Sequence, residues 1–226
     1  MQEDSLFKKK IICIIQCRLS SKRLKNKILL NLKNKLTSLE IILEKINKLK
    51  FVDKIIIASG NKKKNILIKS KLKLHKYNFY FGSENNVSKR FYDIIKKNRN
   101  SIIIRVTADN PYTESSYIKF LVKKIQNSRY KFVMMNNYKI PYGSGVEVFD
   151  GEYYLKNYEY IKSKYDKEHV YEHLKKRNLF KMYEPINKIK CFPFRVTMDT
   201  EEDYIFLKYL FKKDINTIKD IQNKFF

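Results

Sequence analysis

Short apolar, β-branched runs alternate with amphipathic stretches along this chain. Residues 11–15 form a continuous apolar run between Lys10 and Gln16, the pattern of a strand covered on both faces. Residues 17–36 are polar, basic and irregular. Thr37 with Glu40 three positions later has the form of a capping box, and Leu39, Ile42, Leu43, Ile46 and Leu49 then keep helical spacing. The alternation continues with a strand over 54–58 ended by Ser59-Gly60 and a helix over 62–74. A strand over 78–81, stopped by Gly82, a helix over 86–97 and a strand over 101–106 follow. Beyond these, the pattern predicts a helix over 115–126, a strand over 131–134 and a loop from 136 that closes on a strand over 146–149. Helices near 151–162 and 167–177, strands near 179–184 and 193–198, and a helix from Glu201 complete the reading.

This order predicts an α/β domain with a mainly parallel sheet. No internal repeat or linker splits it, so residues 1–226 read as one domain. Ligands of such sheets bind beyond the carboxyl ends of the strands. The loops after Ile15, Ala58, Phe81 and Val106 therefore face one cleft.

Composition narrows the function classes. The 226 residues are 43% hydrophobic, which excludes a wholly disordered chain. No apolar run approaches the roughly 20 residues of a membrane span. The apolar run after Lys8-Lys9-Lys10 is too short for a signal peptide and lacks a cleavage site, so no export, no membrane partner and a cytoplasmic location are expected. Cys13, Cys17 and Cys191 form no C-x-x-C pair, and an odd count suits a reducing compartment. Lys+Arg 49 against Asp+Glu 23 gives a net charge of +26. The basic residues are spread evenly, without an Arg-rich arm, zinc-finger spacing or RNA-binding aromatic motif. The charge fits a compositional bias toward Lys, and a polyanionic small substrate explains it as well as nucleic acid does.

Four groups could carry chemistry. Gln16, Arg18, Ser20, Ser21, Arg23 and Lys27 follow the first strand, where three cations can wrap a triphosphate. Arg105–Pro111 places Thr107 and Asp109 at the end of the most apolar strand, and a carboxylate there suits Mg²⁺. Asp199 closes a second apolar run, with Thr200 and Asp203 spaced as a helix cap. The fourth group is Pro141–Val148 with Glu168 and His169. Glu147, on an otherwise apolar strand, is costly there unless paired or functional.

In order, these segments resemble the acylneuraminate/KDO cytidylyltransferase family, the CMP–sugar-acid synthetases, and within it the spore-coat-polysaccharide branch. The opening I-x-Q-A-R-x-x-S-x-R-L-P-x-K motif is similar to Ile14–Lys27, and G-S before D-V-L-x-R-[FY] to Gly82-Ser83 and Asn86–Phe91. R-x-T-[AG]-D-x-P matches Arg105–Pro111, and P-x-G-x-x-x-E-[VI]-F matches Pro141–Phe149. R-E-H-V resembles Lys167–Val170, and V-D-T-x-E-D matches Met198–Asp203. Lys25 and Asn26 stand where the family has Pro-Gly, Ser20 for a common Gly, and Asn86 for Asp.

The resemblance implies a Rossmann-like three-layer sandwich of the nucleotide-diphospho-sugar transferase type, with a small strand and helix insertion near 136–185. It implies activation of a sugar acid by CTP, giving a CMP-sugar and pyrophosphate for surface glycan synthesis. By it, Arg18, Arg23 and Lys27 act catalytically on the phosphates. Gln16, Ser21, Thr107 and Asp109 also hold the nucleotide, with Gly82 and Ser83 at the base or ribose. Asp109 and Asp199 hold Mg²⁺, and Glu147, Glu168 and His169 line the sugar-acid pocket. It further implies a possible homodimer, with the aromatic-rich segment 138–160 a candidate contact.

Overall fold

A computed structural model describes residues 9–21, 23–185 and 195–225. Strand β1 is Lys10–Gln16, followed by a 3-10 turn at Lys27–Leu29 and a hairpin of β2 (Asn31–Lys33) and β3 (Leu36–Thr37). Then come α1 (Ser38–Asn47), β4 (Lys54–Ser59), α2 (Lys62–Lys71), β5 (Asn78–Phe81), α3 (Val87–Lys97), β6 (Ser101–Thr107) and α4 (Ser115–Gln126). The second half holds β7 (Phe132–Met135), β8 (Glu147–Asp150), α5 (Gly151–Asn157), α6 (Lys164–His169), α7 (Glu172–Lys175) and β9 (Phe180–Tyr183). Helices α8 (Glu201–Lys212) and α9 (Ile218–Phe225) end the chain.

The main sheet has seven strands in the order β5-β4-β1-β6-β8-β7-β9. Only β8 runs against its neighbours, β6 and β7. The chain leaves β1 first toward β4 and β5 and later returns on its other side to β6, so a switch point opens a crevice at the carboxyl end of β1. The segment near 136–185 supplies β8, β9 and three helices, and its strands join this sheet.

Burial on both faces explains the unbroken apolar strands. Ile11, Cys13 and Ile15 of β1 pack with α1 and α4, while Ile12 and Ile14 pack with Phe91, Ile94 and Ile95 of α3. Cys13 and Cys17 are buried free thiols; Cys191 lies outside the described residues. A third cluster joins Leu32 of the hairpin, Tyr112, Val196, Met198 and the inner face of α8. It braces the loop that carries Asp199.

Local signals act as their chemistry demands. Thr37 and Glu40 form the capping box of α1. Asn86 caps α3 through its side-chain oxygen, which accepts from Lys89 N–H at 2.8 Å, so Asn serves there as well as Asp.

Three expectations are corrected. Residues 31–37 form a hairpin rather than irregular chain. The helix expected over 167–177 is two pieces, broken at Val170, whose φ of 53° is strained for a β-branched residue. Of the strand expected near 193–198, residues 195–198 are not strand, and 193–194 lie outside the described residues.

His173 of α7 is 4% exposed and packs edge-on against Tyr154. Burial lowers its pKa from 6.5 to about 4, with Asp166 opposing and Arg177 adding to the shift. The folded form therefore stays neutral where the unfolded chain takes up a proton. Its share of stability is complete above pH 6.5 and is lost as pH falls toward 4, about 2–3 kcal/mol in all. Urea unfolding at pH 7 and pH 4.5 should show a smaller loss for His173→Leu than for wild type; equal losses would contradict this.

Candidate active site

A cleft of about 760 Å³ opens above the carboxyl ends of β1 and β6, a size that suits a small-molecule ligand. Gln16, Arg18, Ser21, Arg23, Lys27, Thr107, Asp109, Glu147, Glu168, His169 and Asp199 all line it. Gly82 and Ser83 do not line it. Glu84 and Asn85 reach it instead, and the Ser83 hydroxyl accepts from Asn86 N–H in the turn that starts α3.

Lys27 is the centre of the charge arrangement. It is 8% exposed, and its ammonium lies 2.5 Å from Asp109 and 2.8 Å from Asp199. The 3-10 turn Lys27–Leu29 aims it, and Asn26 precedes that turn with φ 54° and ψ 26°, a left-handed conformation. The family's Gly at this position is thus replaced by a residue that also tolerates such angles. Asn26→Gly should keep Lys27 in place and leave melting temperature within about 1 °C, whereas Asn26→Val should cost about 1–2 kcal/mol. Thermal melting separates the two, and equal melting temperatures would contradict the account.

Asp109 is held from below. Lys45 donates to the carbonyls of Pro111 at 2.7 Å and Thr113 at 3.3 Å, and burial lowers its pKa to about 8. Met198 N–H donates to the Asp109 carbonyl at 2.8 Å, which sets Asp199 beside Asp109. Gly143, at φ 97°, passes so close that a Cβ would lie 2.7 Å from Thr197 N. Thr200 and Asp203 form the predicted capping box of α8.

Burial opposes the charge of Asp199, but the Lys27 hydrogen bond and the charges of Lys27, Arg23 and Arg195 outweigh it. They hold the carboxyl below its ordinary range. Arg23 lies 3.2 Å from Asp199, and Arg195 also contacts it. Two carboxylates thus converge on one cationic point. Mg²⁺ typically uses one or two protein carboxylates with phosphate oxygens and waters, so this donor pair fits it. Among the described residues no group of three or more His, Cys, Asp or Glu could hold a metal by itself.

The other end of the cleft is built on β6 and β8. Arg105 donates to Glu147 at 2.8 Å and to the Gln16 side-chain oxygen at 3.0 Å, and its guanidinium lies 5.1 Å from the centre of the Tyr171 ring. Glu147 is therefore paired, which answers the cost of burying it. Its charge, with burial, raises the pKa of Tyr171. Glu168 lies 3.5 Å from Arg18 across the cleft, and the His169 ring packs at a tilt against Tyr165. Cys17 also lines the cleft, but burial pushes its pKa up to about 12, so it is no nucleophile.

Sequence reasoning gave no role to Arg105, Tyr171, Glu84 or Arg195. Arg105 was visible as a charge within an apolar strand, but its partner lies 42 residues away. Among the described residues no helix is long and apolar enough to cross a membrane.

Comparison with known proteins agrees with this geometry. A family model described as cytidylyltransferase matches residues 12–226. The uncharacterized protein MJ1063 of Methanocaldococcus jannaschii is 37% identical over 95% of this chain and 91% of its own length. The spore coat polysaccharide biosynthesis protein SpsF of Bacillus subtilis is 28% identical over 90% and 87%. Among solved structures, a cytidylyltransferase from Leptospira borgpetersenii superposes with TM-score 0.78 at 23% identity, covering 97% of this chain and 99% of that one. A CMP:2-keto-3-deoxy-manno-octonic acid synthetase complexed with CTP gives TM-score 0.70 at 13% identity, over 91% and 100%. This chain belongs to the cytidylyltransferase family, and it is a CTP-dependent nucleotidyltransferase.

Proposed function

We propose that the cleft transfers CMP from CTP to the anomeric hydroxyl of a sugar acid, for surface polysaccharide synthesis. The hydroxyl oxygen attacks the α-phosphorus and releases its proton to solvent, the α–β phosphoanhydride bond breaks, and pyrophosphate leaves with the electron pair of that bond. The observation that carries this reading is the cluster of Lys27, Arg23, Asp109 and Asp199 between the phosphate loop and the Glu147 end of the cleft. Arg18, Arg23 and Lys27 bind the phosphates and neutralise the leaving group, so positioning and charge do the catalytic work.

Asp109 and Asp199 would hold Mg²⁺, which when bound supplies charge neutralisation at the phosphate oxygens. Lys27, now shared between the two carboxylates, turns to the triphosphate. Glu147, Glu168 and His169 orient the acceptor's hydroxyls. SpsF's part in spore coat polysaccharide biosynthesis and the octonic-acid synthetase's complex with CTP support the sugar-acid acceptor.

The test is pyrophosphate release with CTP, Mg²⁺ and a panel of eight- and nine-carbon sugar acids, with neutral sugars and sugar phosphates as controls. Release with a sugar acid alone supports the reading. Release only with a sugar phosphate or a non-sugar acceptor overturns its acceptor half.

A further inference from the structure

A second cavity lies at the opposite end of the sheet from the cleft. It measures about 560 Å³ and opens at the amino ends of β1 and β4, beside the second half of α4. The two linings share no residue. Substrates of parallel sheets enter at the carboxyl ends of the strands, so the proposed reaction makes no use of this cavity.

Its chemistry is one-sided. Five of its ten lining residues are lysine, against 49 Lys+Arg in the 226 residues of the chain, so an even spread of basic residues does not account for them. They converge from three places in the sequence. Lys9 and Lys10 stand at the start of β1, Lys50 follows α1, and Lys119 and Lys123 stand on α4. Lys9 is paired with Asp150. The other four have no hydrogen bond or ion pair among the described residues. The acid in the lining, Asp53, is committed to the backbone. Its Oδ2 accepts from Ile11 N–H at 2.7 Å, and its own N–H donates to the Ile11 carbonyl at 2.9 Å.

Lys119 and Lys123 lie one turn apart on α4, and like charges at that spacing weaken a helix. Elsewhere, lysines one turn from an acid are paired with it, as in Lys89–Asp93 and Lys175–Glu172. Beneath the lysines the wall is apolar: Ile11 and Val122 are buried, and Phe51 packs on the core. A low-dielectric wall strengthens the field of the charges that line it.

We propose that this cavity is a second anion site, which takes a small molecule carrying two or more phosphate groups. Ammonium groups on flexible stems, with no guanidinium fork among them, suit a ligand held by its charge rather than by its shape. A concavity of small-molecule size, rather than an extended basic track with stacking rings, favours a compact oligophosphate over a nucleic-acid strand. The bound anion supplies the counter-charge that the four lysines lack and relieves the repulsion between Lys119 and Lys123. The proposal does not depend on the reaction assigned to the cleft.

Calorimetric titration with inorganic tripolyphosphate, without Mg²⁺, tests this on wild type and on Lys50→Gln/Lys119→Gln/Lys123→Gln. The control is Lys62→Gln/Lys63→Gln/Lys71→Gln, which removes the same charge from α2 outside both linings. The cavity variant should bind one anion fewer per chain than wild type, that site being weakened by about 10- to 100-fold. The control should bind as many as wild type. The melting temperature of the cavity variant should not fall, because a like-charge pair has been removed. If the triple variant does not fold, Lys119→Gln alone carries the test and must weaken the same site by at least about threefold.

Equal stoichiometry in wild type and the cavity variant overturns the proposal. So does an equal loss in the control, which would mean that net charge acts without a site. Tighter binding of an oligothymidylate than of tripolyphosphate, lost in the cavity variant, would make this face a nucleic-acid surface and also overturn it. The same titration with CTP names the source of the phosphates. One CTP fewer per chain in the cavity variant points to a nucleotide, and no difference with CTP beside a difference with tripolyphosphate points to the free anion.

Discussion

Asp199→Asn lowers kcat/KM by about 10³-fold or more while the protein stays folded. The carboxylate accepts from Lys27, faces Arg23 at 3.2 Å and is, with Asp109, one of the two acids that meet Lys27 among the described residues. Asn keeps the shape and one acceptor oxygen but removes the charge. Losing a preorganised charge at a phosphoryl-transfer site typically costs 10²- to 10³-fold in kcat, and the loss of a metal ligand adds to it. Stability changes less, because Lys27 keeps Asp109 and Arg195 keeps Asp203. The part that changes has a pH signature. The pKa of Asp199 is held below its unfolded value, so its contribution is present above about pH 4 and is lost as pH falls through the folded pKa. Steady-state pyrophosphate release beside thermal melting checks the split. Near-normal turnover would remove Asp199 from the phosphate and metal roles.

Arg105→Met destabilises the fold by about 3–5 kcal/mol, the usual consequence of stranding a buried partner charge. Both side chains of the Arg105–Glu147 pair are about one-tenth exposed, and they join β6 to β8 where the sheet reverses direction. The double variant Arg105→Met/Glu147→Met should recover most of the loss, because no uncompensated charge is left. Urea unfolding of the two single variants and the double variant measures the coupling. A single-variant loss under about 1 kcal/mol, or strict additivity, would mean that Gln16 and Tyr171 satisfy Glu147's side of the cleft without Arg105.

Strands β1, β4 and β6 were legible because burial on both faces makes them largely apolar, and their ends are marked by Gln16, Gly60 and Asp109. Thr37 and Thr200 announced their helices, since a cap is a local hydrogen bond between near neighbours. The hairpin at 31–37 was not legible, because strands of three and two residues are too short to show alternation. Nor was the break at Val170: a valine at φ 53° is imposed by packing in the α3 cluster, against its own preference. Residues 195–198 look like a strand because Val196 and Met198 are apolar. Yet they fill the third cluster and bond singly to the carbonyls of Tyr142 and Asp109.

In the site, Asp109 and Asp199 could be read from their positions after apolar runs and from the family motifs, but their meeting on Lys27 could not. Gly82 and Ser83 themselves do not line the cleft. The neighbouring Glu84 and Asn85 face the cleft, and Gly82 makes room for Arg90.

The central claim is a cleft that binds CTP with a divalent cation at Asp109 and Asp199. The most direct measurement is a thermal-shift series with CTP, UTP, ATP and GTP, each with and without Mg²⁺. A nucleotide at about 100 times its Kd stabilises by about 2.7 kcal/mol, which is roughly 5–10 °C for a domain of this size. The account predicts the largest shift with CTP, increased by Mg²⁺, and no Mg²⁺ increment for Asp199→Asn. Equal shifts with all four triphosphates, indifferent to Mg²⁺, would contradict it and reduce the cleft to a nonspecific sink for polyanions.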